Sequence, residues 1–279
     1  LFVFVLFLLF VLGFHMGVAG AGLATTISQV ISCFCVLYFL MRMPEEHCRL
    51  SPVQIRFDRV TLYKIVQIGL PAGLQSTMYN ISNVIIQMTV NDFGTDTIAA
   101  WTVYSKIDSI FWMTISAFGV AITTFVGQNF GARKFDRIKR GVKVCFGMSV
   151  IAAAAISIFS VTCGGFIYRL FNNDPGVLAV GDVILKTVPP LFVTYNLIEI
   201  LSGAVRGCGD AVRPMLMTMF GVCVLRLVWI FTVVPLSPNI RTLILSYPIT
   251  WTVTSIAFPI YYLHGGWLKR RMRVNGMQP

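Results

Sequence analysis

Charge is what this chain has least of. Only 12% of its 279 residues are Asp, Glu, Lys or Arg, and eleven of those are acidic. Soluble domains carry about 25% charged residues, so an ordinary globular fold is excluded. Histidine occurs three times, as His15, His47 and His264, and no Ser/His/Asp or Cys/His set stands at a meaningful spacing. The common nucleophilic chemistries therefore have no footing. The seven cysteines (Cys33, Cys35, Cys48, Cys145, Cys163, Cys208 and Cys223) include no C-x-x-C pair. Most lie in apolar runs, where a thiol acts as a small hydrophobe, so neither a zinc site nor a disulfide framework is indicated. No G-x-x-x-x-G-K-[ST] loop is present, which leaves no sequence basis for nucleotide-driven work. Finally, residues 1–12 are wholly apolar with no basic stretch before them, unlike a signal peptide. The expectation is a helix entered part-way, in a chain that is a piece of a longer protein.

What the chain does have is hydrocarbon. Apolar residues make up 56%, mean hydropathy is +0.78, and residues 1–41, 65–91, 144–168 and 242–268 contain no Asp, Glu, Lys or Arg. A bilayer core about 30 Å thick needs about 20 apolar residues per helix, and each run meets that length. The chain reads as an all-α polytopic membrane helix bundle. Its expected segments are 1–13, 21–41, 65–90, 98–126, 144–170, 183–205, a seventh between Pro214 and Pro235, and 243–263. Turns are expected at 14–20, 91–96, 127–134, 172–176, 206–210 and 237–239. In the connector 42–64, Val53, Ile55, Val60 and Leu62 suggest a segment lying along the membrane surface.

The net charge of +11 is unevenly placed. Seventeen of the twenty-two Lys and Arg fall in alternate regions, at 42–64, 133–143, 206–213 and 269–273, whereas the opposite loops hold only Arg169 and Arg241. That is a positive-inside pattern rather than a nucleic-acid face. It places the C-terminus in the cytoplasm, in a multi-pass protein of the plasma (inner) membrane. Trp229, Trp251 and Trp267 include expected interface anchors.

Polar residues within the segments point to function, because uncompensated charge in hydrocarbon costs about 2.5–3.5 kcal/mol or more. Gln75, Tyr79, Asn83 and Gln87 recur every four residues along one stripe, with Ser76 and Asn80 beside it. They either line a cavity or tie helices together. Trp101, Ser105, Asp108 and Trp112 share a face of the next segment. A carboxylate between indoles suits an organic cation, through charge and cation–π attraction of about 0.5–2 kcal/mol. Equally, Asp108 could partner a basic residue of another helix. Lys106 stands about 200° around from it and should not pair with it. Tyr195, Glu199, Ser202 and Arg206 share another face, where Glu199 is either a proton carrier or a link to Arg206 or Arg226. Gly69 and Pro71, with Gly73, mark a kink that serves either packing or a hinge, and Pro189-Pro190 marks a second. The turns at 127–134 and 206–210 read as structural, with glycines allowing tight bends.

Five motifs then fall in order: Gly17-Val18-Ala19-Gly20-Ala21-Gly22-Leu23-Ala24, Ile68-Gly69-Leu70-Pro71-Ala72-Gly73, Gly127-Gln128-Asn129-Phe130-Gly131-Ala132, Phe171-Asn172-Asn173-Asp174-Pro175 and Val205-Arg206-Gly207-Cys208-Gly209-Asp210. Their order and spacing resemble the multidrug and toxic compound extrusion (MATE) family over nearly the whole chain. The resemblance implies a twelve-helix fold in two six-helix lobes. This chain would carry the end of the first lobe (residues 1–50, helices five and six) and the whole second lobe (51–279, helices seven to twelve). It also implies exchange of amphiphilic or cationic compounds for Na⁺ or H⁺, no cofactor, and a need for the missing N-terminal lobe. Some members use a Glu in helix seven and an Asp in helix ten as cation ligands. Those positions fall here on Tyr79 and Tyr195, and a Glu of human-type members falls near Lys106, so the coupling ion stays open.

The expected function is a secondary active transporter, a cation-coupled antiporter for drugs and xenobiotics, and not an enzyme. Alternatives are a flippase for lipid-linked oligosaccharides and a non-transporting membrane subunit. The candidate substrate- or cation-binding residues are Gln75, Tyr79, Asn80, Asn83, Trp101, Asp108, Trp112, Tyr195 and Glu199. Gly69, Pro71, Pro189 and Pro190 are the candidate hinges, and the expected partners are a small amphiphilic or cationic molecule and the lipid bilayer, with no nucleic acid and no metal.

Overall fold

The computed structural model describes residues 2–44, 49–51, 56–264 and 266–274, whose regular elements are all helices, with no β-strand among them. His47, Cys48, Val53 and Ile55 lie outside the described residues. Helix is the form hydrocarbon permits, since it satisfies every backbone donor and acceptor within one segment. Many hydroxyls within the helices are satisfied the same way. Thr25, Ser28, Thr114, Ser160 and Thr254 each donate to the carbonyl four residues back, at 2.6–3.0 Å.

Cα packing divides the chain into two compact units, Leu1–Val60 and Thr61–Pro279. In the first, α1 (Phe2–Leu8) runs on through a wide turn of π geometry (Leu9–Gly13) and packs against α2 (Gly17–Met41). Helix α2 starts earlier than the expected turn at 14–20 allows, which puts Gly20 inside it. A side chain there would stand 3.0 Å from the Phe10 carbonyl oxygen, so the absence of a side chain lets α1 and α2 approach.

In the second unit, α3 (Arg59–Asn91), α4 (Thr95–Gly131) and α5 (Phe135–Phe171) are long single helices. They are followed by α6 (Pro175–Thr187), a 3₁₀ turn (Pro189–Leu191) and α7 (Phe192–Gly207). Next come α8 (Val212–Thr218), a π turn (Met219–Val224) and α9 (Leu225–Thr232), then α10 (Ile240–Ile244), α11 (Ser246–His264) and α12 (Trp267–Val274). Six spans among the described residues are long and apolar enough to cross a membrane: Gly17–Met41, Thr95–Gly131, Phe135–Phe171, Pro175–Gly207, Val212–Leu236 and Ile240–His264. Helix α3 has the length, about 50 Å at 1.5 Å per residue, but its amides and hydroxyls keep it from matching their apolarity.

Several boundaries differ from the sequence reading. Val60 and Leu62 belong to the first turns of α3, not to a surface segment. Helix α5 begins at Phe135, so the basic run up to Lys143 is already helical. The expected turn at 127–134 shrinks to residues 132–134, where Arg133 takes a φ of 57°. Gly127 sits inside α4 instead, facing the Gly207 carbonyl oxygen of α7. The Pro189-Pro190 break is present as the 3₁₀ turn, as expected where consecutive prolines remove two donors. Pro71, by contrast, sits within a continuous α3. Gly69 and Gly73 border open space, so they do not act as close-packing residues here.

The core lies where α4 meets α7. Gly203 and Gly207 of α7 press against α4, and a methyl on Gly207 would stand 2.6 Å from the Thr123 carbonyl oxygen. The Thr123 hydroxyl donates to the Gly119 carbonyl of its own helix (2.7 Å) and lies 3.1 Å from the Gly203 carbonyl across the interface. Asn196 ties α7 to the Ser149 carbonyl of α5 at 2.8 Å, and Tyr168 ties α5 to the Ala100 carbonyl of α4 at 2.8 Å. Such interhelical bonds contribute about 0.6 kcal/mol each in a bilayer. Outward residues such as Val120, Ile151, Phe166, Phe220 and Ile256 leave an exposed apolar surface suited to acyl chains.

At the basic end, the buried carboxylate of Asp210 takes an ion pair from Arg213 and another, at 3.5 Å, from Arg271 of α12. Arg271 also donates to the Gly209 carbonyl. The turn at 206–210 is thus structural, and it fastens α12 to the end of α7.

Gly207→Ala is expected to destabilise the unit by about 1–3 kcal/mol, because backbone rather than a flexible side chain must yield. Gly147→Ala on α5, with open space at its Cα, should be neutral or slightly stabilising. Melting curves of both variants in detergent compare the two.

Candidate substrate cavity

Helices α3, α4, α7 and α11 of the second unit line an open cavity of about 730 Å³. From α3 come Gln75, Ser76, Tyr79, Asn83 and Gln87, on one face through their spacing of three or four residues. Trp101, Ser105, Asp108 and Trp112 enter from α4, Tyr195, Glu199 and Arg206 from α7, and Tyr247 from α11. Eight of the nine residues proposed from sequence therefore share this wall. Asn80 is the exception: it is exposed and off the cavity, because it follows Tyr79 by 100° around the helix.

Asp108 is held by its own helix. Its Oδ2 accepts from Trp112 Nε1 at 2.8 Å and its Oδ1 from the Tyr104 hydroxyl at 3.1 Å, each one helical turn away. Among the described residues no Lys or Arg nitrogen lies within 4.0 Å of it. The alternative of a basic partner on another helix is therefore not what is found, and Lys106 is exposed. Two neutral donors fix the carboxylate geometrically in a half-buried place, and the buried cation of Arg226 on α9 acts on it only at longer range.

Glu199 is arranged differently. Its Oε1 accepts from Arg206 Nη2 at 3.0 Å, and its Oε2 lies 3.4 Å from the Tyr195 hydroxyl. That hydroxyl stands 3.2 Å from the Tyr79 hydroxyl of α3. The two tyrosines on which the family resemblance places a Glu and an Asp of some members are thus neighbours. Space for the Glu199 carboxylate is left by Gly119, where a methyl would stand 2.3 Å from Oε1. Of the two partners considered for Glu199, Arg206 is the one that pairs.

Arg226 turns elsewhere. It is 2% exposed, its guanidinium carbon lies 4.0 Å from the Tyr247 ring centroid, and Nε and Nη2 have no hydrogen-bond partner among the described residues. Tyr247 thereby backs the cavity with a cation on its far face, a contact worth up to about 2 kcal/mol when desolvated.

Behind the wall stands Trp251, fully buried and edge-on to Trp112, Tyr195 and Tyr247 at ring-centre distances of 6.2, 5.7 and 5.6 Å. Among the tryptophans offered as interface anchors, Trp251 is not one; it is the centre of an aromatic cluster. Trp267 is buried too, donating to the Tyr262 carbonyl at 2.9 Å. For Trp251 the signal was available: it sits in the middle of the chargeless run 242–268, whereas an interface anchor belongs near an end. Tyr247 and Trp251 share one face at i, i+4 spacing, the mark by which both could have been found.

The family model described as MatE matches residues 71–232. The chain belongs to the MatE family. Among curated relatives, the probable multidrug resistance protein YpnP of Bacillus subtilis is 26% identical over 222 residues, which is 78% of this chain and 48% of that protein. YoeA of the same organism, also called a probable multidrug resistance protein, is 22% identical over 74% of this chain and 45% of its own length. The chain spans about half the length of the curated relatives it matches. A crystal structure of a MATE protein in a bent conformation superposes with a TM-score of 0.85, at 18% identity, covering 99% of this chain and 61% of the other. A MOP superfamily transporter from Pyrococcus furiosus superposes at 0.86, with 19% identity and coverage of 99% and 60%. These likenesses give the fold, and with the apolar spans they make this MatE chain a multi-pass membrane protein.

Two outcomes test the wall. Trp251→Ala should cost about 3–5 kcal/mol of stability, as for a large core aromatic, where loss of an interface anchor would cost far less. A double-mutant cycle of Glu199→Gln and Arg206→Met, read from melting in detergent, should return a coupling of roughly 0.5–3 kcal/mol.

Proposed function

We propose that this MatE chain carries the cavity-bearing lobe of a cation-coupled antiporter that exports amphiphilic or cationic drugs by alternating access. One observation carries the reading: a carboxylate, Asp108, stands in an aromatic-lined cavity without a basic partner among the described residues. The cavity wall holds two carboxylates and one guanidinium, and Glu199 is matched by Arg206. Asp108 is left without an ion pair, since Arg226 lies behind Tyr247 and acts on it only at longer range, and Trp101 and Trp112 stand beside it to face an organic cation. The coupling cation, Na⁺ or H⁺, occupies the same carboxylate in turn, so substrate and ion compete. The names of the relatives as multidrug resistance proteins agree with this reading. A flippase for lipid-linked sugars would call for a strongly basic cavity, and this wall is not one.

In the same reading, residues 1–50 are the end of a first lobe and 51–279 a second lobe. Transport needs an N-terminal lobe to close the cavity, because repeat-built transporters hold their sites between repeats. The C-terminus lies in the cytoplasm by the distribution of Lys and Arg, and the host membrane is the plasma membrane.

The first test is binding of tetraphenylphosphonium to the purified chain, read by tryptophan fluorescence. Asp108→Asn should weaken it about tenfold, equivalent to about 1.4 kcal/mol, with Glu199→Gln within about threefold of the parent. Unchanged affinity in Asp108→Asn removes the reading. In vesicles that also contain a first lobe, dye efflux after a Na⁺ or pH jump then names the ion.

A further inference from the structure

A second cavity, of about 530 Å³, lies between the first turns of α5 and the junction of α11 with α12, away from the wall just described. Its floor is apolar: Ile138 and Val142 of α5 and Trp267 of α12 are buried there. Its rim is basic, with Lys139 and Lys143 from α5, Lys269 from α12 and His264 at the end of α11. No Asp or Glu lines it, and among the described residues none of the three lysines has an ion pair.

Two features of this rim ask for an anion. Lys139 and Lys143 stand one turn apart on one face of α5, an arrangement of like charges that weakens a helix by a few tenths of a kcal/mol. Lys269 of α12 borders the same cavity, no carboxylate lines it, and Asp136, three residues before Lys139 on α5, makes no ion pair with it.

Depth says which anion. The chargeless run 144–168 begins one residue after Lys143, and the run 242–268 ends one residue before Lys269. Two helices thus deliver their lysines to the same level, the boundary between hydrocarbon and headgroups. Below that level the groove is walled by Leu263, which is 72% exposed, and by Tyr262. The site is also held in place. Arg271 binds α12 to Asp210 and to the Gly209 carbonyl, and Trp267 Nε1 is fixed on the Tyr262 carbonyl.

We infer that this groove binds an anionic phospholipid, with its phosphate among Lys139, Lys143 and Lys269 and an acyl chain along Leu263. Basic pockets between spanning helices hold anionic headgroups in this way, with each lysine worth about fivefold in affinity. Neither the drug cavity nor any coupling ion enters the argument, so the two readings stand or fall separately.

The test is native mass spectrometry of the full chain, counting retained phosphatidylglycerol against phosphatidylcholine of matched chains. Retention should favour phosphatidylglycerol at least about tenfold. The triple variant Lys139→Gln, Lys143→Gln, Lys269→Gln should lose that preference. A control of equal charge change at the same end, Arg133→Gln, Lys134→Gln, Arg273→Gln, should keep it, and a melting curve of each variant verifies folding. Equal retention of the two lipids, or equal loss in the control triple, overturns the inference. So does displacement of phosphatidylglycerol by excess inorganic phosphate, which would make the groove a soluble-anion site.

Discussion

Hydrocarbon offers a polar group nothing to bind, and the cost of leaving it unmet is several kcal/mol. Every polar side chain drawn into these helices must therefore find its partner inside the protein or face a space that water can enter. The chain meets much of that demand with one-turn spacing, Arg226 against the Tyr247 ring being an exception. Threonine and serine hydroxyls return to carbonyls four residues back. Asp108 finds Tyr104 and Trp112 one turn to either side, and Glu199 finds Tyr195 one turn away and Arg206 two. Groups too large or too many to be met locally collect around one hollow, and α3, with the most of them, lies along it.

The rear wall of that hollow is closely packed. Glycines at the α4–α7 contact let the two backbones come close enough for Thr123 to reach a carbonyl across the gap. Gly119, in the same stripe, makes room for the Glu199 carboxylate. Packing and site chemistry are thus set by the same small residues, and Trp251 fills the space behind the aromatic side chains that the cavity displays.

Much of this was legible in the sequence, for a plain reason. Lipid imposes length and apolarity on every span, so segments and turns can be read from where charge is missing. The four-residue stripe of α3 and the face of α4 with Asp108 could be read because helical periodicity maps spacing onto direction. What could not be read depended on neighbours. Whether Glu199 met Arg206 or Arg226 turned on how α7 and α9 are placed, and Asp108 found its donors on its own helix, at a spacing open to view. The group of tryptophans offered as including interface anchors did not single out Trp251, because residue type was weighed over position in its run. Gly127 was assigned to a turn because a glycine made small for a neighbouring backbone looks, in one dimension, like a glycine made small for a bend.

Helix α3 has a mechanical character of its own. Its far end is gripped, with Ile86 and Val90 buried against Ile230, Val234 and Leu243, and midway Tyr79 touches Tyr195 through a single pair of hydroxyls. Toward its start, Ile65, Ile68, Leu70 and Leu74 are exposed, and Pro71 leaves one rung of an otherwise continuous ladder without its donor, outside the grip. An engineer would call this a cantilever: a beam clamped at one end, notched near the other, with a light catch between. In a beam so held, the side of the hollow that α3 forms is fixed from the far end and at the tyrosine pair rather than evenly along its length.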